Sequence, residues 1–274
     1  MLSDQKEILL RRVLILYHSG VGNTKLIADL IEKFFRGEYI TRILSVEHLH
    51  AIEEINSYDF FVIGFPTYHC TPSKTIRSFL NNLPVFTIPK RIFTFTTCGW
   101  YSGNTLRIFA KEAKVKNLLT VLSRSYRCPA TDGLLLFPRL NCLARFEHKL
   151  VKTIERDVRD AQLRFSFEEK EQIPSFNLIS ILNYPNKILG LKLAPLVVLN
   201  KDNCIRCRRC EISCYHRCFT LDEEGYPFYS NPACEHCYRC IHQCPQRALS
   251  IFRRRDFKQL DAKFYQGALR SLLK

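Results

Sequence analysis

Val13-Leu14-Ile15-Leu16-Tyr17-His18-Ser19-Gly20-Val21-Gly22-Asn23-Thr24-Lys25 decides the fold of the first half of the chain. Its first five residues are a short, branched, apolar run, the composition of a strand buried on both faces. The loop that follows holds two glycines, a serine and a threonine. From Lys25 to Phe35 apolar residues recur at helical spacing: Leu26, Ile27, Leu30, Ile31 and Phe34. A strand, a loop of this kind and a helix make an anion cradle, in which amides at the helix start and the Ser19 and Thr24 hydroxyls can surround a phosphate. The Gly-Lys-Ser/Thr ending of a nucleoside triphosphate loop is missing, and so are the three spaced glycines of the dinucleotide fingerprint.

The alternation continues outward. Ile40–Leu44, Tyr58–Gly64, Arg91–Thr97 and Asn117–Ser123 read as four more strands. Leu49–Ile55, Lys74–Asn81, Leu106–Val115 and Arg145–Phe165 read as the helices that follow. This pattern predicts a doubly wound α/β fold with a parallel sheet, whose ligands gather at the carboxyl edge of the strands. Ile15 to Thr24 resembles the flavodoxin signature Ser/Thr-x-x-Gly-x-Thr at Ser19, Gly22 and Thr24, with Val21 where many flavodoxins carry threonine. The resemblance covers residues 11–165 and implies a five-stranded sheet of order 2-1-3-4-5 and the cofactor FMN.

Its phosphate would then be held by Ser19, Gly20, Val21, Gly22, Asn23 and Thr24. The loops after the third and fourth strands would flank the flavin ring. One supplies Pro66, Thr67, Tyr68 and His69, the other Thr97, Cys98, Gly99, Trp100, Tyr101, Gly103 and Asn104. Aromatic side chains of these loops, Trp100 among them, are expected to stack on the ring, and His69 is the candidate proton donor. Arg124 to Cys142 matches no motif and is expected to cover the flavin or a substrate. Cys70 and Cys98 read as small buried residues.

A second stretch is equally specific. Cys204, Cys207, Cys210 and Cys214 are spaced Cys-x-x-Cys-x-x-Cys-x-x-x-Cys. Cys234, Cys237, Cys240 and Cys244 repeat the spacing, and Pro245 follows. The stretch resembles the bacterial two-cluster ferredoxin pattern, in which the fourth cysteine of each run ligates the other cluster. Three thiolates at two-residue gaps share one tight loop and one 4Fe–4S cube, whereas the fourth lies too far along the chain to fold back. Cluster one is therefore assigned to Cys204, Cys207, Cys210 and Cys244, and cluster two to Cys234, Cys237, Cys240 and Cys214. Zinc knuckles, the competing explanation, would leave the third and fourth cysteines of each run without a role. Tyr215 stands where proline usually follows the fourth cysteine, which alters a turn and not the ligand count.

At 274 residues the chain suits two domains. The expected division is 1–165 for the FMN-binding domain, 166–200 for an ordered connector, 201–252 for the ferredoxin domain and 253–274 for a basic C-terminal helix. Nine of thirteen cysteines lie between Cys204 and Cys244, which suits reduced, metal-bound thiols in an intracellular, low-oxygen compartment. That compartment is expected to be the cytoplasm, with the redox organelle of an anaerobic eukaryote as the alternative. No apolar run reaches membrane-spanning length. The net charge of +15 divides into +9 for residues 1–200 and +6 for residues 201–274. An acidic electron-transfer protein, a ferredoxin or flavodoxin, fits such a surface better than nucleic acid, for which no motif is present.

Taken together, the chain resembles the flavodoxin–ferredoxin fusion proteins of anaerobic metabolism. The resemblance implies an electron-transfer oxidoreductase that links a ferredoxin or flavodoxin, two clusters and FMN to an acceptor. Direct NAD(P)H oxidation is not expected, since the sequence shows no second dinucleotide-binding pattern. Two alternatives stay open: a flavoenzyme reducing a small-molecule acceptor at FMN, and a redox sensor with a basic surface. A homodimer is compatible with all three. Arg206, Arg208, Arg209, Arg217 and Arg239 lie among the cluster ligands, where positive charge favours the reduced cluster and predicts potentials above those of acidic ferredoxins.

Overall fold

Strand residues alternate between two faces, and in this chain both faces are apolar, so the sheet has to be covered by helices on each side. The computed structural model describes residues 10–49, 53–167, 169–182, 197–229, 233–253 and 256–273. Its main strands are β1 (Arg12–Tyr17), β2 (Ile40–Ser45) and β3 (Phe60–Tyr68); a two-residue β4 (Thr71–Pro72) precedes β5 (Lys90–Cys98) and β6 (Leu118–Arg127). The order is β2-β1-β3-β5-β6, with every pairing parallel. β4 adds antiparallel to the end of β3. Apart from β4, this is the 2-1-3-4-5 order expected.

Helices α1 (Asn23–Phe35) and α5 (Leu150–Ser166) cover one face, α2 (Lys74–Asn82) and α3 (Thr105–Lys114) the other. Val13 and Ile15 of β1 join the first core, Leu14 and Leu16 the second. Each fully buried aliphatic or aromatic side chain here is worth roughly 1.5–3 kcal/mol. Phe165 closes the first core by stacking on Phe60, centroids 4.4 Å apart.

Several boundaries differ from expectation. β6 runs on to Arg127, because residues 124–127 keep pairing with β5 and Arg124 meets Asp157 at 3.0 Å and Asp160 at 2.8 Å on α5. α5 begins at Leu150, not Arg145: Lys149 is left-handed (φ 59°) and the Glu147 amide donates to the Arg127 carbonyl. Two short 3₁₀ turns, Val46–His48 and Glu53–Ser57, stand where a helix over Leu49–Ile55 was expected, and residues 50–52 lie outside the described residues.

The cysteine-rich module pairs Val198–Leu199 with Leu249–Ser250 and Phe219–Leu221 with Pro227–Tyr229, both antiparallel. The module thus takes in two residues ahead of the expected boundary at 201. Its core holds Phe219, Tyr238, Ile241, Leu249, Ile251 and Phe257, joined by Leu135 from α4 (Thr131–Leu136). The described part of the connector packs along the first domain: the Gln172 amide donates to Thr120 and Arg107 to Pro174. Residues 183–196 of the connector, and Arg254 and Arg255 of the basic run, lie outside the described residues.

Within the stretch 253–274 expected for it, the C-terminal helix spans Ala262–Leu272, because Asp261 caps it by accepting from the Phe264 amide at 2.8 Å. Phe257 and Leu260 are buried ahead of it. The helix lays Tyr265, Ala268, Leu269 and Leu272 against the first domain's core. Among the described residues no helix is long and apolar enough to cross a membrane.

Candidate functional site

β1, β3 and β5 run parallel and end at one edge, and their loops enclose a cleft of about 740 Å³. Ser19, Gly20, Val21, Asn23 and Thr24 line it from the first loop, Pro66 to His69 from the second, and Thr97 to Gly99 from the third. Thr24 and Thr97 link two of the loops through their hydroxyls at 2.9 Å. Gly22 lies just behind this wall with φ 136°, a conformation that favours glycine. A Cβ on Gly22 would also come within 2.6 Å of the Tyr265 ring. Tyr265 donates to Asn23 Oδ1 at 2.9 Å, and Asn23 Nδ2 donates to the Pro129 carbonyl at 2.8 Å, so the C-terminal helix braces the cradle from outside. Ser19 Oγ is buried with no hydrogen-bond partner in a loop whose backbone is already placed. Such an atom calls for an acceptor, and a phosphate oxygen supplies one. The residues present fit FMN.

The far end of the third loop is not part of the cleft wall. Trp100 is 79% exposed, and Tyr101, Gly103 and Asn104 face the connector instead. The Tyr101 hydroxyl is 3.3 Å from Ser180 Oγ, and Asn104 exchanges hydrogen bonds with the Asn177 backbone at 2.8 and 3.2 Å. The connector holds these residues away from the flavin position expected for them. His69, with φ 50°, does line the cleft and stands edge-on to His236, centroids 6.1 Å apart. Cys98 lines it as a buried thiol pushed up by desolvation, and Cys70 lies outside the wall.

The cleft has two further walls beyond these three loops. One is Pro129, Thr131, Asp132, Leu136 and Phe137, from the stretch expected to cover the flavin. The other is His236, Tyr238 and Phe252, from the cysteine-rich module. At the positions matching His236 and Tyr238 the first run carries Arg206 and Arg208, and no local pattern in the sequence places either pair at the cleft.

The eight cysteines of the two runs surround two smaller cavities. Cys204, Cys207, Cys210 and Cys244 line the first, and Cys214, Cys234, Cys237 and Cys240 the second. The fourth cysteine of each run thus lines the cavity of the other run. Among the described residues no three His, Cys, Asp or Glu side chains converge on a point where a single metal ion would sit. Amides of Cys218 and Ala248 donate to the sulfurs of Cys214 and Cys244 at 3.3 and 3.2 Å. Burial pushes the Cys210 thiol up to about 11 and the Cys237 thiol to about 12. The buried Cys218 packs beside the second cavity.

The second cavity abuts the phosphate loop. Cys237 Cβ would lie 3.1 Å from a Cβ on Gly20, and the Tyr68 hydroxyl occupies the same space. Arg239 donates to the carbonyls of Ser19 and Gly20 at 2.7 and 2.5 Å and to both oxygens of Glu47 at 2.5 and 2.9 Å. Burial alone would raise the Glu47 carboxyl, but hydrogen bonds from His18 and Arg239 outweigh it and hold the group down at about 2. His18, almost fully buried, lies 3.1 Å from Glu47 and 3.4 Å from Glu235. Glu235 in turn accepts from the Thr75 amide and hydroxyl at the start of α2.

A family model described as a flavodoxin domain matches residues 14–122, less than half of the chain. The fold is flavodoxin-like. The domain match supports FMN as the ligand of the cleft and a redox role for the protein. Among solved structures, a flavodoxin from the domain Archaea is 16% identical and covers 57% of this chain and 99% of its own, with a TM-score of 0.44. Flavodoxin 2 from Bacillus cereus is 19% identical and covers 58% and 99%, with a TM-score of 0.41. The rubredoxin oxygen:oxidoreductase of Desulfovibrio gigas is 16% identical and covers 57% and 37%, with a TM-score of 0.38.

Proposed function

We propose that the protein is an iron–sulfur flavoprotein that passes electrons between an external one-electron carrier, two 4Fe–4S clusters and FMN. When bound, the clusters supply electrons singly and FMN exchanges one or two, so the pair interconverts one- and two-electron chemistry. The observation that carries this reading is the wall shared by the two modules: His236 and Tyr238, between ligands assigned to cluster two, line the cleft that fits FMN. The chain's contribution is spacing. Arg239 fixes the second cysteine run on the Ser19–Gly20 loop, and Gly20, lacking a side chain, lets Cys237 and Tyr68 approach.

The cysteine cavities support the cluster assignment in three ways. Each is lined by four cysteines of the runs, three from one and one from the other. Each is surrounded by backbone under strain, with Arg206, Arg208, His236 and Tyr238 all at φ between 54° and 58°. Conformations of that kind cost about 1–3 kcal/mol each and persist where a ligand or the surroundings over-determine them. Amides aimed at sulfur, finally, stabilise thiolate rather than thiol. Iron binding would displace the protons that burial otherwise keeps on Cys210 and Cys237.

Phe137 and Phe252, 58% and 62% exposed at the cleft, favour a second reading: a small apolar acceptor meeting the flavin there. Anaerobic purification tests both. About eight irons, eight sulfides and one FMN per chain are expected. Zinc in place of iron, or no flavin, overturns the proposal. Saturable flavin reoxidation by a small molecule, lost in Phe137→Ser and Phe252→Ser, would select the second reading.

A further inference from the structure

The two cysteine runs are structural copies thirty positions apart, and among the described residues only one of them is covered. Arg206 and His236 share φ 54° and 55°, Arg208 and Tyr238 share 58° and 55°, and Arg217 and Arg247 share 50°. Four-residue helices follow at Arg209–Ile212 and Arg239–His242. Glu235 to Arg239 meet the chain's own flavodoxin-like domain, with Glu235 on Thr75 and Arg239 on Glu47, Ser19 and Gly20. The matching residues, Ile205 to Arg209, are all exposed, Cys207 included. Ile205 is 60% and Ile212 77% exposed, a small apolar centre beside arginines.

Arg209 is the counterpart of Arg239, and among the described residues no carboxylate meets it. Arg206 donates to the Glu224 carbonyl and lies over the Tyr226 ring, and it too has no carboxylate among the described residues. Arg208 and Lys201 are paired already, with Glu211 and with Glu224. The free face therefore repeats the geometry of an interface this chain already makes, and lacks the acid that Glu47 provides there.

We propose that Ile205, Arg206, Cys207, Arg209 and Ile212 form the docking face for a small acidic one-electron carrier protein. The carrier takes the place that the flavodoxin-like domain occupies on the other run, and its carboxylates do for Arg209 what Glu47 does for Arg239. The inference rests on the two-cluster reading of the cysteines. A reduced carrier loses one electron there and the chain gains it, with no bond made and no proton moved. Apolar contact at the centre with charge at the rim suits a brief encounter, steered by the chain's net charge of +15.

The test measures binding of a small acidic bacterial ferredoxin to the anaerobic holo-protein by thermophoresis, at low and high salt. Arg209→Glu is expected to weaken binding at least tenfold. Lys152→Glu, the same charge change on an exposed residue of α5, is expected to leave it within about twofold. Equal loss in both variants would reduce the effect to net charge and overturn the docking face, as would unchanged binding in Arg209→Glu. A dimer of the free protein that Arg209→Glu dissociates would overturn it in favour of a second copy. Iron and sulfide counts on the same samples separate the failures: no iron in the unsubstituted protein sinks the cluster reading, whereas full iron with unaltered binding sinks the docking face alone.

Discussion

The run Cys204–Cys214 and the run Cys234–Cys244 share a spacing, a backbone and a following helical turn, yet one faces outward and the other is sealed against the flavin cleft. Cysteine chemistry does not distinguish them. The difference lies in the residues between the cysteines: Ile205, Arg206, Arg208 and Arg209 on one side; Glu235, His236, Tyr238 and Arg239 on the other. It lies equally in what the rest of the chain brings to each, since among the described residues Glu47 and the Ser19–Gly20 carbonyls bond to the second run and not to the first. A duplicated cysteine unit thus acquires an inside and an outside by being docked once.

The largest test of this comparison exchanges the crossing ligands. Cys244→Ser is expected to empty the outer site and Cys214→Ser the inner one, each lowering iron from about eight to about four per chain. The two half-loaded proteins should differ where the comparison says they do: Cys244→Ser keeps the site beside the flavin cleft, Cys214→Ser the exposed one. Quenching of FMN fluorescence, strong in Cys244→Ser and weak in Cys214→Ser, checks this. The reverse pattern would mean that each run binds its own fourth cysteine.

The matched arginines come next. Arg239→Ala strands Glu47 at a junction where the side chains are 12% and 10% exposed. Leaving one member of a buried pair costs about 3–5 kcal/mol. Weaker FMN binding is expected with it, since the same guanidinium holds the Ser19 and Gly20 carbonyls. Arg209→Ala, at the equivalent exposed position, is expected to change stability by less than about 0.5 kcal/mol. Anaerobic denaturant titration followed by circular dichroism measures both, and similar costs would dissolve the distinction between inside and outside.

This asymmetry marks how far local pattern carries. The sheet was legible because its two central runs, Val13–Leu16 and Phe60–Phe65, are buried on both faces and read as unbroken apolar stretches. The cysteines could be divided into two crossed sets from the sequence because two-residue gaps limit which sulfurs can share a cavity. Trp100 was misplaced because its loop is claimed by Asn177 and Ser180, more than seventy residues away, and no local spacing records that competition. The docking of Tyr238 and His236 onto the cleft was invisible for the same reason: it depends on how Arg239 and Glu47 meet across 192 positions of sequence. The beginning of α5 moved for a local cause, a left-handed Lys149 that nothing in its side chain announces.

Acid sharpens the comparison further. Glu47 titrates at about 2 in the folded protein against 4.5 when unperturbed, so its contribution is complete above about pH 4.5 and is lost as pH falls towards 2. A depression of this size is worth at most about 3 kcal/mol. Glu47→Gln should therefore flatten the acid limb of the stability curve of metal-free protein between those limits and weaken the protein most at neutral pH. An unchanged slope would show that the Arg239 contact survives protonation, or that the carboxylate is not what anchors the inner run.

The smallest effect belongs to the last matched pair, Ile212 and His242. His242 is fully buried, its Nδ1 accepts from the Leu260 amide at 3.1 Å, and its Nε2 lies 3.1 Å from the Thr131 carbonyl. Burial holds it neutral, lowered to about 4. One ring thus ties the inner run both to the wall of the cleft and to the segment leading into the C-terminal helix. His242→Ser leaves those backbone groups unsatisfied, at a cost of about 2 kcal/mol. Ile212 occupies the same position on the outer run with nothing to tie, and Ile212→Ser is expected to shift the denaturation midpoint by less than about 0.5 kcal/mol equivalent. If the exposed isoleucine proved as costly to replace as the buried histidine, the outer run would have to be packed against something in solution, and the face assigned to a transient carrier would belong to a permanent neighbour.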